Sequence, residues 1–146
     1  MILYLDTSAL VKRYVVETSS QEVIALIEQA EIVGAVVLTR VEMAATLAKA
    51  VRQGWVEQKD AEVAWHDFLE HWLSFARLSI TATTIERASR LAWEHGLRGY
   101  DALHFAAALT WQEILETPVT LATFDRELWL ASQNTGMAVW PQGLYS

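Results

Sequence analysis

The sequence predicts an α/β domain in which a parallel central sheet of about four to five strands is flanked by helices. Short apolar runs alternate along the chain with longer segments of helical periodicity. Strands that alternate with helices are typical of a parallel sheet with helices on both faces. With 146 residues, 53% of them apolar, the chain can bury a core, and we expect residues 1–146 to form a single domain.

The first half of the chain predicts two strands and three helices. Residues 2–5 form a short apolar run that ends at Asp6, which indicates a buried strand. The predicted elements that follow are a helix from Thr7 or Ser8, a helix capped within 18–20 that runs to Ala30, a strand over 32–38 and a helix over 39–53.

Apolar side chains at three- and four-residue spacing over 57–75 predict a long amphipathic helix that packs on its predecessor as a helical hairpin. Gly96 favours the end of a later helix, and Gly99 and Tyr100 introduce another. The remaining predicted elements are strands over 76–80, 118–123 and 137–140 and helices over 84–95, 101–111 and 126–132.

Composition excludes several classes of protein. No apolar stretch approaches the roughly 18 residues of a bilayer span, and the N-terminal segment lacks the basic start of a secretory signal. The absence of cysteine excludes disulfides and thiolate metal sites, and we expect a cytoplasmic protein that does not associate with membranes. The formal net charge of −7 disfavours general nucleic-acid binding, so any nucleic-acid activity requires a local basic patch or bound cations.

Four carboxylates occupy positions where the predicted topology places ligands. Asp6 and Asp125 follow predicted strands, at the edge where open α/β sheets form their ligand crevice. Asp101 stands at a helix start, and Glu42 lies in the first turns of the helix after the second strand. We expect these four side chains to converge on one crevice.

Each acid taken alone has a simpler explanation, because a carboxylate near a helix start caps free amides and interacts favourably with the helix dipole. Four acids together would repel one another without compensating cations. Mg²⁺ or Mn²⁺ would provide that compensation, because both ions take oxygen ligands and leave positions for phosphate oxygens. Such a cluster fits phosphodiester hydrolysis by water, with no side-chain nucleophile.

Four local patterns occur in order along the chain: LYLDTSAL at 3–10, the Val41-Glu42 helix start, GYDALHFAAA at 99–108 and LATFDREL at 121–128. Together they resemble the PIN-domain ribonucleases, in particular the VapC-type toxins of toxin–antitoxin pairs. The resemblance covers essentially the whole chain. It implies a Mg²⁺-dependent endoribonuclease, with Mn²⁺ as a plausible substitute, that cleaves RNA, binds a cognate antitoxin protein and forms a homodimer.

The same resemblance assigns the acidic metal site to Asp6, Glu42, Asp101 and Asp125. It places hydroxyls beside this site, with Ser8 and Thr123 as the candidates that position water or phosphate and Thr7 as a further one. Each of these hydroxyls also has the alternative of capping a helix or turn.

Basic residues near the acids have two interpretations. Arg98 and Arg126 lie within three residues of a candidate acid, so they either contact substrate phosphates or pair with the acids. His104 follows Asp101 by three residues and shares its helical face. A hard metal in a carboxylate site has little need of imidazole, which favours a packing or supporting role for His104 over ligation or proton transfer.

Other interpretations stay open. Trp65 and Trp72 share one helical stripe and predict a core or dimer contact, whereas stacking on RNA bases is the alternative for tryptophans near the crevice. A strand followed by Asp also begins the aspartyl phosphotransferases of the haloacid dehalogenase type, although Ser8 stands where that family has a second Asp. A catalytically silent interaction module would keep the fold but has no physical reason to gather four acids.

Overall fold

The computed structural model describes residues 1–145 and contains a five-stranded sheet in the order β3-β2-β1-β4-β5. All four strand pairs are parallel. The strands are β1 (Ile2–Leu5), β2 (Ile32–Val36), β3 (Ala76–Leu78), β4 (Val119–Ala122) and β5 (Ala138–Trp140). The predicted fold class is thereby confirmed, while residue 146 of the expected domain lies outside the described residues.

Seven α-helices connect and cover these strands in the described part of the chain. They are α1 (Thr7–Leu10), α2 (Ser20–Gln29), α3 (Thr39–Arg52), α4 (Gln58–Trp72), α5 (Ala82–His95), α6 (Gly99–Leu115) and α7 (Arg126–Asn134). A turn of 3-10 helix, Val11–Arg13, extends α1. Helices α3 and α4 pack against each other, as expected for the helical hairpin. Within residues 1–145 no helix combines the length and the apolar character that crossing a membrane requires.

Side chains of β1 alternate between the two faces of the sheet, as the period of two in a strand requires. Leu3 and Leu5 join a core cluster with α1, α3 and α4 on one face. Tyr4 points to the other face and packs with residues of α5, α6 and α7. The near-continuous apolar sequence of β1 follows from this burial on both faces.

Several element boundaries differ from those predicted. Strand β2 ends at Val36 rather than at 38, because the chain turns at Val37 and Leu38 to begin α3. Helix α4 ends at Trp72 rather than at 75. Helix α5 begins two residues early, because Thr81 and Thr84 form a reciprocal capping box. Helix α6 is longer than predicted at both ends, since Gly99 already belongs to it.

Three of the seven tryptophans are buried in the core. Trp72 is buried in an aromatic row with Phe68 and Phe75. Trp111 and Trp129 are also buried, which removes both from any role in stacking on RNA bases. A Cβ on Gly34 of β2 would lie 2.6 Å from the Trp111 ring, so only glycine at this position lets α6 pack so close to the sheet.

The strand order places a topological switch point at the centre of the sheet. Strands β1 and β4 are neighbours, and the chain continues from β1 to β2 on one side and from β4 to β5 on the other. In open α/β sheets a ligand crevice forms at such a point, beyond the carboxyl ends of the strands. The residues that follow β1 and β4 therefore face the crevice, and these include Asp6 and Asp125.

Candidate active site

Asp6 lies at the carboxyl end of β1 and is held by hydroxyl groups. Its backbone N–H donates to the carbonyl of Ala122 at 3.0 Å, which ties it to the end of β4. The hydroxyls of Ser8 and Thr123 each donate to Oδ2 of Asp6 at 2.7 Å. Asp6 occupies the N-cap position of α1, yet its side chain makes no capping hydrogen bond. Capping therefore does not explain this buried carboxylate.

Glu42 reaches the same crevice from the first turn of α3. Its Oε1 accepts hydrogen bonds from Thr7 Oγ1 at 2.9 Å and from His104 Nε2 at 2.6 Å. Burial alone would raise the pKa of Glu42, but the hydrogen bond and charge of His104, together with the Thr7 hydroxyl, lower it below its ordinary value. These contacts favour the ionised carboxylate.

His104 is fully buried on α6 and contacts both of these acids. Besides its hydrogen bond to Glu42, Nε2 lies 3.4 Å from Oδ1 of Asp6. On the opposite side of the ring, Nδ1 lies 2.8 Å from the hydroxyl of Tyr4. Burial lowers the pKa of His104, but the two carboxylates outweigh burial and raise it above its ordinary value.

Arg98 joins the two remaining acids. Its Nε donates to Oδ2 of Asp101 at 2.9 Å, and its Nη2 donates to Oδ2 of Asp125 at 2.6 Å. Of the two interpretations of Arg98, the structure therefore exhibits pairing with the acids. Burial and the charges of Asp125 and Asp6 raise the pKa of Asp101 despite this arginine, which indicates that negative charge at Asp101 is poorly compensated.

The simpler explanation by helix capping holds in part for Asp125. Its Oδ1 accepts the Leu128 N–H and caps α7, while its Oδ2 binds Arg98. Arg126 begins α7, and its guanidinium lies over the ring of Tyr145, 5.4 Å from the centroid. The aromatic contact therefore accounts for the placement of this second arginine.

A cleft of about 1020 Å³ opens beside the acids, between α3 and the α5–α6 pair. Glu42 and Asp101 line it together with Lys49, Arg98 and the exposed ring of Tyr100. Sequence analysis did not identify three residues of this site. Two of them, Lys49 and Tyr100, line the cleft, and the third is Tyr4. The signal for Tyr4 was present, because a tyrosine inside a strand buried on both faces needs a partner for its hydroxyl.

The donor chemistry of this site fits a hard divalent cation. Within residues 1–145, one oxygen on each of three acids accepts no hydrogen bond: Oδ1 of Asp6, Oε2 of Glu42 and Oδ1 of Asp101. Carboxylate oxygens are the ligands that Mg²⁺ and Mn²⁺ prefer. As the side chains stand, no three His, Cys, Asp or Glu side chains of the described residues are gathered closely enough to hold an ion. In this arrangement Arg98 and His104, rather than a metal ion, contact the acids and offset their negative charge.

Comparisons with known proteins identify the family. A family profile described as the PIN domain matches residues 3–131. The chain belongs to the PIN-domain family. This PIN domain is similar to ribonuclease VapC45 of Mycobacterium tuberculosis, with 34% identity over 98% of this chain and 97% of that protein. The VapC-type resemblance of the sequence is thus confirmed.

Solved structures share the fold of this PIN domain. PAE2754 from Pyrobaculum aerophilum superposes with a TM-score of 0.64 at 24% identity, over 95% of this chain and 90% of that chain. VapBC-5 from Mycobacterium tuberculosis, a member of the VapBC family of toxin–antitoxin systems, superposes with a TM-score of 0.59 at 18% identity, over 95% and 96% of the two chains. At these identities the superpositions establish the common architecture.

Proposed function

We propose that this PIN domain is a metal-dependent endoribonuclease and the toxin of a type II toxin–antitoxin pair. The observation that carries the proposal is the convergence of Asp6, Glu42, Asp101 and Asp125 on one crevice at the switch point of the sheet. Three of these acids keep an oxygen that accepts no hydrogen bond from residues 1–145. The relative named ribonuclease VapC45 supports RNA as the substrate class.

Mg²⁺, or Mn²⁺ in its place, is the proposed cofactor, held by Asp6, Glu42, Asp101 and Asp125. When bound, such an ion supplies positive charge that offsets the acids and the phosphodiester and makes water more acidic. The raised pKa of Asp101, which burial and the neighbouring carboxylates produce, supports a role for such a charge at this site.

Hydroxyl side chains of the protein orient the carboxylates of the proposed site. The Ser8 and Thr123 hydroxyls hold Oδ2 of Asp6, and Thr7 holds Oε1 of Glu42, so each carboxylate presents its other oxygen in a fixed direction. In the proposed reaction, water attacks phosphorus, the bond from phosphorus to the leaving ribose oxygen breaks, and that oxygen takes up a proton. Lys49 and Arg98 line the cleft where they can contact phosphate oxygens of the strand.

The proposed partners follow from the family. A cognate antitoxin protein would block the cleft, and the toxin would act as a homodimer. Since the proposed substrate is cellular RNA, the proposed site of action is the cytoplasm.

The test of the function is an incubation of purified protein with total cellular RNA, with and without Mg²⁺ or Mn²⁺, followed by mapping of the cleaved ends. Asp101→Asn removes a proposed metal ligand. Asp60→Asn, which changes an exposed acid in the first turn of α4, makes the same charge change away from the crevice and serves as the matched control.

Metal-dependent cuts by the wild type and by Asp60→Asn, and none by Asp101→Asn, are the expected result. Intact RNA in every lane, from antitoxin-free protein that binds Mn²⁺, would overturn the nuclease proposal. That result would favour the catalytically silent interaction module.

A further inference from the structure

A chain of hydrogen bonds leads from the backbone of β2 into the acidic crevice. The Val36 N–H donates to the Tyr4 hydroxyl at 3.3 Å. The same hydroxyl lies 2.8 Å from Nδ1 of His104, and Nε2 of His104 lies 2.6 Å from Oε1 of Glu42. Tyr4 and His104 are both fully buried, so solvent does not compete for these contacts.

The chemistry of the carboxylate at one end of this chain places a proton on Nε2 of His104. The hydroxyl of Tyr4 accepts the Val36 amide proton and has both its own proton and a second lone pair available for Nδ1 of His104, so this contact holds with neutral and with charged imidazole. Burial raises the pKa of Tyr4 well above its ordinary value, so the hydroxyl keeps that proton. An ionised carboxylate is an acceptor only, and Nε2 must therefore carry the proton that Glu42 accepts.

One N–H of His104 thus faces two carboxylates that arise from different elements. Glu42 belongs to α3, whereas Asp6 follows β1, and Nε2 lies 2.6 Å from the first and 3.4 Å from the second. An apolar side chain of similar volume would fill this position without the cost of burying an imidazole. A buried histidine at position 104 is explained if its contacts with Glu42 and Asp6 serve a function besides packing.

We propose that His104, braced by Tyr4, is a positioning residue that holds Glu42 and Asp6 in the arrangement required for divalent-cation binding. The inference rests on the proposed function, because it concerns the same acids. His104 acts through the carboxylates and does not itself touch the substrate. Partners that orient ligands in this way contribute about 10- to 100-fold to metal affinity or activity.

The test compares variants of the full chain that differ in one contact. His104→Leu removes the N–H donor at similar volume, whereas His104→Gln keeps an N–H near the position of Nε2. Tyr4→Phe removes only the hydroxyl that braces the ring. Ser132→Ala is the matched control for Tyr4→Phe, because the buried Ser132 hydroxyl on α7 has no hydrogen-bond partner within residues 1–145.

Three readouts separate positioning from packing. Calorimetric titration with Mn²⁺ measures cation affinity, thermal unfolding measures stability, and two-bond ¹H–¹⁵N NMR of the metal-free wild type locates the imidazole protons. We expect a proton on Nε2 of His104. We also expect Mn²⁺ affinity to fall about 10- to 100-fold in His104→Leu and about tenfold in Tyr4→Phe. His104→Gln should recover most of the loss, and Ser132→Ala should bind as the wild type does.

The proposal is overturned if Nε2 carries no proton, or if folded His104→Leu binds Mn²⁺ like the wild type. It is also overturned if His104→Gln and His104→Leu lose affinity equally at equal unfolding temperature, because the N–H donor then has no role. None of these readouts uses RNA. A wild-type protein that passes them and leaves RNA intact would refute the nuclease function while the positioning role of His104 stands.

Discussion

The four acids form two pairs that are held in opposite ways. The inner pair, Asp6 and Glu42, is held from within the protein by hydroxyls and by His104, whose ring is completely buried. The outer pair, Asp101 and Asp125, is held by Arg98, whose side chain is 77% exposed. Fixed groups of the core thus orient the inner pair, whereas a flexible surface side chain bridges the outer pair.

This difference indicates how the site is prepared for a ligand. Contacts buried in the core restrict the inner pair before anything binds, which lowers the cost of ordering it. An exposed arginine is well solvated on release, so its ion pairs with the outer acids are weak and exchange readily for other contacts. We therefore expect ligand binding to rearrange the outer pair and to leave the inner pair in place.

The largest expected effect comes from the inner pair. Asp6→Asn removes the negative charge of a buried carboxylate that accepts two hydroxyl hydrogen bonds but keeps an oxygen that can accept them. RNA cleavage should fall roughly 10²- to 10³-fold or more, the scale seen when one electrostatic group is lost from an active site. The measurement is the initial rate of RNA cleavage with Mg²⁺. Cleavage at the wild-type rate by folded Asp6→Asn would exclude the inner pair from the reaction.

The second prediction concerns stability. Thr123→Val removes the hydroxyl that donates to Asp6 in a buried hydrogen bond and accepts the Asp125 N–H in a partly buried one. The free energy of unfolding should fall by about 1–3 kcal/mol, because buried groups lose their hydrogen-bond partner. Denaturant unfolding measures this loss.

The matched control is Thr39→Val, since the buried Thr39 hydroxyl on α3 has no hydrogen-bond partner within residues 1–145. Its unfolding free energy should change little or increase. Equal losses in both variants would mean that the hydroxyl network around Asp6 adds nothing to stability.

The smallest expected effect comes from the outer pair. Arg98→Gln should change the free energy of unfolding by less than about 1 kcal/mol, because solvent screens an exposed ion pair. Mn²⁺ affinity should rise a few-fold, since a cation that competes for Asp101 and Asp125 is lost. Arg52→Gln, in the last turn of α3, controls for the change in net charge. A drop in stability as large as that of Thr123→Val would contradict the distinction between the two pairs.

Sequence reasoning succeeded where local rules determine the outcome. The end of β1 before Asp6 and the parallel sheet follow from apolar runs, helical periodicity and the position of strand ends. The role of each acid as a metal ligand is still a prediction.

What the sequence left open depends on tertiary contacts. The choice of Arg98 between phosphate and acids, and the contact of Arg126 with Tyr145, depend on where α6 and α7 lie in space. The position of Tyr4 in a buried strand indicates that its hydroxyl needs a partner, but not which partner. Its link to His104 joins residues 100 positions apart, which no local pattern encodes.

The most direct test of the account is a crystal structure of the wild-type protein soaked in Mn²⁺, with the ion located by its anomalous signal. We predict an ion bound to carboxylate oxygens of Asp6, Glu42 and Asp101, with Arg98 displaced from the outer pair and the contact between His104 and Glu42 retained. An ion bound elsewhere, or none while Arg98 still bridges Asp101 and Asp125, would contradict the metal site on which the account rests.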